Sequence, residues 1–292
     1  MKIVNFGSCN IDYVYKLHHI VHVGETEHSE GRDVFPGGKG LNQSIAIAKA
    51  GATVYHAGLV GADGGLLLDT MQECGVDTSF VKKVDAPSGH AIIQVSSKGE
   101  NSIFIHSGAN GMITKEYVDE VLSHFEAGDL LVLQNEINEL DYLMARAHDR
   151  GLRIALNPAP MTEAVLMLPL DTVDWLLVNE VEAGQILGLP VTDGVSAARA
   201  LREKLPHAAI VLTLGGEGAI YADDAGIFAQ RAVPVRAVDT TAAGDTFTGY
   251  FLAGMLEGKT PQQAMALAAK AAAISVTRPG AAPSIPKREE VE

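Results

Sequence analysis

Apolar runs of strand length alternate along the chain with longer segments of helical period. The runs cover residues 3–6, 130–133, 154–156, 175–178 and 210–212. They are apolar at consecutive positions rather than at every second one, which predicts strands covered on both faces, as in a parallel sheet. Helices are predicted at residues 41–50, 115–125, 139–150 and 195–205. This alternation favours an α/β fold with a doubly wound, mostly parallel sheet flanked by helices, in which ligands bind at the carboxyl ends of the strands.

Two stretches interrupt the alternation. Residues 13–36 mix polar and apolar positions with little helical period, and residues 89–106 indicate two strands, 91–95 and 102–105, around a turn at 98–101. Together they predict a small separate β-sheet. Because no shift in composition marks a linker, we expect one α/β domain over residues 1–292, with the small sheet projecting from it as a lid.

Charge and composition exclude several classes of function. The net charge of -14 argues against a nucleic-acid-binding protein, because such proteins need a basic surface. No apolar stretch is long enough to span a bilayer, and the chain starts with a strand-like run rather than a signal peptide. We therefore expect a soluble, cytoplasmic protein without membrane partners. Cys9 and Cys74 are too few for a disulfide framework and lack metal-binding spacing.

The strongest local signal is the segment 239–247, Asp-Thr-Thr-Ala-Ala-Gly-Asp-Thr-Phe, followed by an apolar helix. The small residues at 242–244 would let the backbone approach a ligand closely. The first turn of the helix would offer unpaired N–H groups to an anion, with Asp245 within reach of an attacking hydroxyl. An acid at this position can equally stabilise its own helix. The residues alone leave both interpretations open.

Two further segments suggest ligand contacts near the N-terminus. Gly37-Gly38-Lys39-Gly40 precedes an Ala-rich helix and has the spacing of neither a Walker A loop nor a dinucleotide-binding turn. It is compatible with close backbone approach to a ligand and with a hinge. Asn10 and Asp12 would point the same way from an extended chain and could hold two hydroxyls of a polyol, although each alone is an ordinary turn residue.

Histidines are concentrated in the presumed lid, at positions 18, 19, 22 and 28. His18 and His22 would share a helix face at metal-ligand spacing. The segment lacks helical signals, however, and Val21 and Val23 are interleaved. We therefore interpret these residues as surface or interface histidines rather than as a metal site.

The order and spacing of these segments resemble the ribokinase-like (PfkB) family of sugar kinases. Segments 37–43 and 239–247 are similar to the two signature motifs of the family, and further matching pieces lie at 7–12, 106–110, 156–160, 179–182, 213–218 and 276–281. The resemblance covers essentially the whole chain. It implies an ATP-dependent kinase that phosphorylates the primary hydroxyl of a pentose such as D-ribose, and a homodimer formed through the lid.

The resemblance also implies roles for individual positions. Asp245 matches the general base, and the amides of Ala242, Ala243, Gly244 and Asp245 match an anion hole. The sugar-binding set is Asn10, Asp12, Gly38, Lys39, Asn42, Glu136 and Asp245. The set for ATP and Mg²⁺ is Asn179, Glu182 (through water), Thr213, Gly215, Gly218 and Gly244. A K⁺ site is implied at Asp239, Thr241, Ser275, Gly280 and Ser284, so ATP, Mg²⁺ and K⁺ are the expected cofactors.

The substrate is the part of this interpretation that the residues leave most open. Leu66, His90, Phe104 and Thr248 depart from the family pattern, and His90 and Phe104 lie on the presumed lid, where they could alter the sugar pocket. A nucleoside, deoxyribose or a ketose could be the acceptor, with Phe104 as a candidate platform for a base. A non-catalytic sugar-binding protein is disfavoured by Lys39 and Gly244-Asp245. An oxidoreductase is disfavoured because residues 7–10 do not form a glycine-rich phosphate turn.

Overall fold

The computed structural model describes all 292 residues. The strands are β1 (Ile3–Phe6), β2 (Asn10–Leu17), β3 (Gly31–Gly37), β4 (Val54–Val60), β5 (Asp77–Lys83), β6 (Gly89–Ser96), β7 (Asn101–His106), β8 (Leu130–Gln134), β9 (Arg153–Asn157), β10 (Trp175–Asn179), β11 (Ala209–Thr213), β12 (Ala219–Asp223) and β13 (Gly226–Gln230). The α-helices are α1 (Lys39–Lys49), α2 (Gly65–Glu73), α3 (Lys115–Leu122), α4 (Leu140–Asp149), α5 (Glu180–Leu187), α6 (Gly194–Lys204), α7 (Ala243–Leu256), α8 (Pro261–Ser275) and α9 (Arg288–Val291).

Nine strands form one sheet in the order β13-β12-β11-β10-β9-β8-β1-β4-β5. Every pairing is parallel except β11 with β12 and β12 with β13. The predicted doubly wound, mostly parallel sheet is therefore confirmed. The five predicted apolar runs all lie in strands of this sheet.

Successive side chains of the central strands enter two separate cores, one on each face of the sheet. On β8, Leu131 and Leu133 join the core that includes helices α3 to α6, while Leu130 and Val132 join the core that includes α1, α7 and α8. This double burial explains why the central strands are apolar at consecutive positions. None of the helices combines the length and the apolar character needed to cross a membrane.

Four strands form a second, smaller sheet in the order β3-β2-β6-β7. β2 pairs with β6 in parallel, and the other two pairings are antiparallel. β2 follows β1 after three residues, and β3 runs almost directly into α1. The small sheet is thus joined to the large one next to the carboxyl end of β1, where a ligand site is expected.

Helices α1 and α7 cross in close contact beside this junction. A Cβ atom on Gly249 would lie 2.4 Å from the Cβ of Ala46, so only glycine permits this approach. The contact brings the first turns of the two helices together. It therefore joins the two glycine-containing segments, which lie about 200 residues apart in the sequence.

Candidate active site

Asp245 lies in the first turn of α7 and is 7% exposed. Its carboxylate oxygens accept hydrogen bonds from α1, with Asn42 Nδ2 3.1 Å from Oδ2 and Gln43 Nε2 3.0 Å from Oδ1. No side chain caps the N-terminus of α7. The structure therefore excludes a side-chain cap, while Asp245 remains an acid in the first turn of α7, where its charge can still stabilise the helix.

The first turn of α7 presents free main-chain donors beside this carboxylate. The N–H groups of Ala242, Gly244 and Asp245 have no acceptor within the protein, whereas the N–H of Ala243 donates to the Thr240 carbonyl at 3.2 Å. Ala242, at the N-cap, has a left-handed backbone with φ 59°. Three of the four predicted anion-hole amides are therefore available to a ligand, and the amide of Ala243 is already hydrogen-bonded.

Two cavities meet at this helix start. The first, of about 240 Å³, is mainly polar and is lined by Lys39, Asn157, Glu182 and Asp245 among others. The second, of about 430 Å³, is mainly apolar and lies between β11 and α8. Gly244 lines both cavities. A ligand with a large apolar end and a charged end could therefore extend from the second cavity towards Asp245.

Lys39, the first residue of α1, interacts with three carboxylates. The negative charge of Asp245 has the largest effect and raises the pKa of Lys39, whereas burial lowers that pKa. Glu136 and Glu182 raise it further, so the pKa of Lys39 lies above its ordinary value. Burial raises the pKa of both glutamates, and Lys39 opposes that effect. The Lys39 ammonium therefore stays charged at neutral pH and partly neutralises an acid-rich site.

Asn10 and Asp12 lie on one face of β2 because they are two residues apart. Glycines flank them, since Gly37 of β3 and Gly89 of β6 both pair in register with Asn10. A Cβ atom on Gly37 would lie 2.1 Å from Asp12 Oδ2. The glycines therefore leave space for the two polar side chains at the base of the small sheet.

Glu136 connects this strand with the start of α1. Its Oε2 accepts hydrogen bonds from the Lys39 N–H at 3.0 Å and from Ser8 Oγ. Asn42, on the same helix, has a buried Oδ1 atom without any partner in the protein. Such a buried acceptor fits a ligand hydroxyl. The structure thus places the predicted sugar-binding residues near one another, and Ser8, for which no role was predicted, donates to Glu136.

Asp12 should make the stability of the ligand-free protein depend on pH. Burial, and then the charge of Glu136, raise the pKa of Asp12 from 3.8 to about 7. Because the folded state holds this proton more tightly than the unfolded chain does, the resulting stability is present below pH 3.8 and is lost as the pH rises through about 7. The variant Asp12→Asn has no titratable carboxyl group at this position, so its stability does not fall for this reason as the pH rises. The difference in Tm between the variant and the wild type should therefore increase from about pH 4 to about pH 7 and change little above about pH 8; a difference that does not vary with pH would contradict the assignment.

Gln43 belongs to the site although no role was predicted for it. The backbone carbonyl oxygen of Gly40 can only accept a hydrogen bond, so the Asn5 atom that lies 2.7 Å from it must be the donor Nδ2. Asn5 Oδ1 then accepts from Gln134 Nε2 at 3.0 Å, and that Nε2 also donates to Gln43 Oε1 at 2.7 Å. The remaining group of Gln43, its Nε2, therefore has to face Asp245.

A second branch of this network has the same effect. Asn157 Nδ2 donates to Leu177 O at 2.9 Å, which leaves Asn157 Oδ1 to accept from Gln43 Nε2 at 3.2 Å. Two backbone carbonyls thus determine the orientation of the Gln43 amide. We infer that Gln43 is a positioning residue that keeps a hydrogen-bond donor on the Asp245 carboxylate.

The variant Gln43→Glu should shift the pH dependence of turnover. A second carboxylate at this position would disfavour full ionisation of the pair that it forms with Asp245. For the sugar-kinase reaction that the resemblance implies, we expect kcat near pH 7 to fall about tenfold and to recover as the pH rises, with little change in the KM for the expected sugar. The measurement is kcat against pH for both proteins. A loss by the same factor at every pH would indicate a purely structural role.

Asn179 and Glu182 form a capping box at the start of α5. Glu182 N donates to Asn179 Oδ1 at 2.9 Å, and Asn179 N donates to Glu182 Oε2 at 2.9 Å. Both residues also line the first cavity. Capping and ligand contact are therefore compatible in this motif.

The predicted nucleotide residues Thr213, Gly215 and Gly218 line the second cavity. Gly218 has φ 111°, and a Cβ there would lie 2.0 Å from the Gln230 carbonyl oxygen, so the turn requires glycine. Sequence reasoning missed the apolar wall of this cavity, which includes Val233, Pro234, Val235, Ala269, Ala272, Ala273 and Val276. These small aliphatic residues carry no signal that separates them from core residues.

The predicted K⁺ set is only partly connected by hydrogen bonds. Asp239 accepts from Thr241 N at 2.9 Å and from Gly280 N at 2.8 Å. Burial raises the pKa of Asp239, but these hydrogen bonds outweigh it and hold the pKa below its ordinary value. Ser275 and Ser284 are buried, and their hydroxyls donate to carbonyls in their own segments. An ionised carboxylate with spare lone pairs fits a hard cation.

His90 and Phe104, the two residues of the small sheet that depart from the family pattern, do not lie on the face that carries the predicted sugar-binding residues. His90 pairs with Ile11, and Phe104 pairs with Ile92, which in turn pairs with Tyr13. Paired residues share a face, and Asp12 lies on the opposite one. The expectation that His90 and Phe104 alter the sugar pocket is therefore not supported within one chain. Phe104 is likewise excluded as a platform for a base beside Asp12.

Known proteins resemble this chain over nearly its full length. Residues 1–288 match the model described as pfkB family carbohydrate kinase. The chain is 36% identical to the ribokinase of Bacillus subtilis, with 98% of this chain and 96% of the relative covered. It is 34% identical to the ribokinase of Haemophilus influenzae, with coverage of 97% and 95%. Among solved structures, Arabidopsis thaliana ribokinase complexed with ribose and ATP superposes with a TM-score of 0.89, 31% identity and coverage of 99% and 97%.

Proposed function

This chain belongs to the pfkB family of carbohydrate kinases, and on that premise we propose that it transfers the γ-phosphoryl group of ATP to the primary hydroxyl of D-ribose. It is an ATP-dependent sugar kinase. The choice of ribose rests on the two ribokinase relatives and on the ribose- and ATP-bound neighbour. The polar set around Asn10, Asp12 and the unpartnered Asn42 Oδ1 suits a compact polyol.

The observation that carries the mechanism is the position of Asp245. Its carboxylate lies between α1, which carries sugar-binding candidates, and the free amides at the start of α7. We propose that an Asp245 oxygen accepts the proton of the primary hydroxyl while the sugar oxygen forms a bond to the γ-phosphorus and the bond to the β-phosphate oxygen breaks. The N–H groups of Gly244 and Asp245 stabilise charge on the transferred group. ADP and ribose 5-phosphate leave.

Cation binding is part of the same proposal. Glu182 and Asn179 would hold Mg²⁺ through water, and the ion would neutralise phosphate charge. Asp239, Thr241, Ser275, Gly280 and Ser284 would hold K⁺ next to the start of α7. Both cations suit carboxylate, hydroxyl and carbonyl oxygens rather than nitrogen or sulfur.

We also propose that the small sheet, through residues 13–36 and 89–106, acts as the lid of a single domain in a cytoplasmic enzyme. It would close over the sugar and exclude water, which limits wasteful ATP hydrolysis. Asn10 and Asp12 lie on its β2 strand, so closure would carry them towards the sugar.

A coupled assay of ADP release tests the substrate. D-ribose, 2-deoxyribose, fructose, adenosine and pseudouridine are compared, each with and without K⁺. We expect the highest kcat/KM for ribose and stimulation by K⁺. A higher value for another acceptor would overturn the choice of ribose, and no turnover with any acceptor would favour a sugar-binding protein without catalytic activity.

We propose that two copies associate through the small sheet. All six residues of its edge strand β7 are exposed, including Ile103, Phe104 and Ile105, and an unpaired apolar edge needs cover. Analytical ultracentrifugation should give the mass of a dimer. Phe104→Asp should shift it towards monomer, while Leu66→Asp, an exposed apolar site on α2, should not; a monomeric wild type would refute the dimer.

A further inference from the structure

The loop between β2 and β3, residues 18–30, brings two imidazoles and a carboxylate together at the surface. His19 Nε2 lies 2.8 Å from Glu25 Oε1, and His22 Nδ1 lies 3.2 Å from Glu25 Oε2. One ligand atom from each of the three residues lies within 4.8 Å of the other two. The loop is not helical, in line with its lack of helical signals, so His18 and His22 do not share a helix face. A different set gathers instead.

This set has the chemistry of a transition-metal site. Two imidazole nitrogens and one carboxylate are typical ligands of Zn²⁺ and of other borderline divalent ions. Metal–ligand bonds of about 2.0–2.1 Å in a tetrahedral site separate neighbouring ligand atoms by about 3.3 Å. The separations of 2.8 Å from His19 Nε2 to Glu25 Oε1 and of 3.2 Å from His22 Nδ1 to Glu25 Oε2 are close to that value, and the three ligand atoms all lie within 4.8 Å of one another. A metal ion could therefore replace the imidazole protons with small side-chain movements.

The loop is held in place by hydrogen bonds that do not use these side chains. Gln94 Oε1 accepts from the Val21 N–H at 3.0 Å, and Ser97 Oγ donates to the His18 carbonyl at 2.9 Å. Both bonds anchor the loop to β6 and the turn that follows it. The three ligands are thus partly preorganised, which reduces the entropy lost on metal binding.

The site is also open to solvent. Glu25 Oε2 accepts a further hydrogen bond from the His22 N–H at 2.9 Å. The side chains of His19, His22 and Glu25 are 37%, 77% and 32% exposed. An ion can therefore enter from solvent, and it would keep at least one position for water.

We propose that His19, His22 and Glu25 form a binding site for one divalent transition-metal ion of the Zn²⁺ class. The site lies at the opposite end of β2 from Asn10, a strand of eight residues or about 25 Å. It is therefore separate from the cations expected beside ATP. The bound ion would cross-link the β2–β3 connection at the far end of the small sheet and leave the sugar set untouched.

The test is a titration of the untagged, metal-free full chain with Zn²⁺ by calorimetry, and with Co²⁺ by visible absorption. We expect one equivalent per chain, and a Co²⁺ spectrum typical of a tetrahedral or five-coordinate site. His22→Gln and Glu25→Gln should each weaken Zn²⁺ binding at least about tenfold. The matched control His28→Gln changes a histidine of the same loop outside the cluster and should bind like the wild type.

Two results would overturn the proposal. One is Zn²⁺ binding that is unchanged in His22→Gln and Glu25→Gln, or that is lost equally in His28→Gln. The other is binding that disappears only in Asp245→Asn, which would place the ion at the catalytic carboxylates. Thermal unfolding of each apo variant checks that the fold is retained.

Discussion

Replacing Asp245 with asparagine should lower kcat by about 10³-fold or more, which corresponds to about 4 kcal/mol of transition-state stabilisation. Asparagine has nearly the same shape but cannot accept the hydroxyl proton. The measurements are steady-state ADP release for kcat and calorimetry for ribose affinity. Ribose affinity should change only a few-fold, because Asn10, Asp12 and Glu136 are untouched.

The fold should tolerate this change for a specific reason. In the wild type Asn42 Nδ2 donates to Asp245 Oδ2, while Asn42 Oδ1 has no partner. If the Asn42 amide rotates by half a turn, that oxygen can accept from the side-chain amide introduced at position 245. Gln43 need not move, since it can still donate to the oxygen that the new side chain retains. The loss of activity should therefore occur without a large fall in Tm.

The matched control is Asp193→Asn, which makes the same chemical change at another helix start. Asp193 is the N-cap of α6 and accepts from the Ser196 N–H. Asparagine caps helices about as well as aspartate does, so stability and turnover should both be retained. If Asp245→Asn keeps near-normal turnover, Asp245 is not the base. If it loses ribose affinity as strongly as turnover, Asp245 mainly binds the sugar.

The sequence predicted the centre of the fold better than its edges. The five runs read as strands are five consecutive strands of the sheet, from β11 to β1. They are apolar at successive positions because both of their faces are buried. β5 at one edge is largely exposed and polar, and β12 and β13 form an antiparallel hairpin at the other. Short or mixed strands of this kind lack the same signal.

The site was predictable to the extent that its groups lie in local motifs. Segments 37–43 and 239–247 indicate helix starts with small residues, and the structure brings those starts together. The role of Gln43 could not be predicted, because its orientation depends on Gln134 and Asn5, whose contacts with it exist only in the folded chain. The apolar cavity wall from α8 was missed because alanines there look like any buried helix face.

Gly244 allows the anion-site proposal to be tested separately from the proposal for the base. It lines both cavities, and a Cβ built on it meets no atom within 4 Å. Its backbone has no unusual φ angle, and valine is no worse than glycine inside a helix. Gly244→Val should therefore fold normally. On the mechanism proposed above, its side chain would nevertheless occupy the space through which the transferred phosphoryl group passes.

We expect Gly244→Val to lower kcat at least about 10²-fold, an effect comparable to the loss of one oxyanion-hole donor, and Gly244→Ala to give an intermediate loss. ATP affinity should fall while ribose affinity stays near that of the wild type. Gly65→Val is the control, because Gly65 also begins a helix and has free space around its Cβ. Full turnover in Gly244→Val would show that no phosphoryl group approaches this turn. If ribose and ATP affinity fall by the same factor, the two cavities do not bind the two substrates separately. The assignment of one cavity to the sugar and the other to ATP would then be wrong.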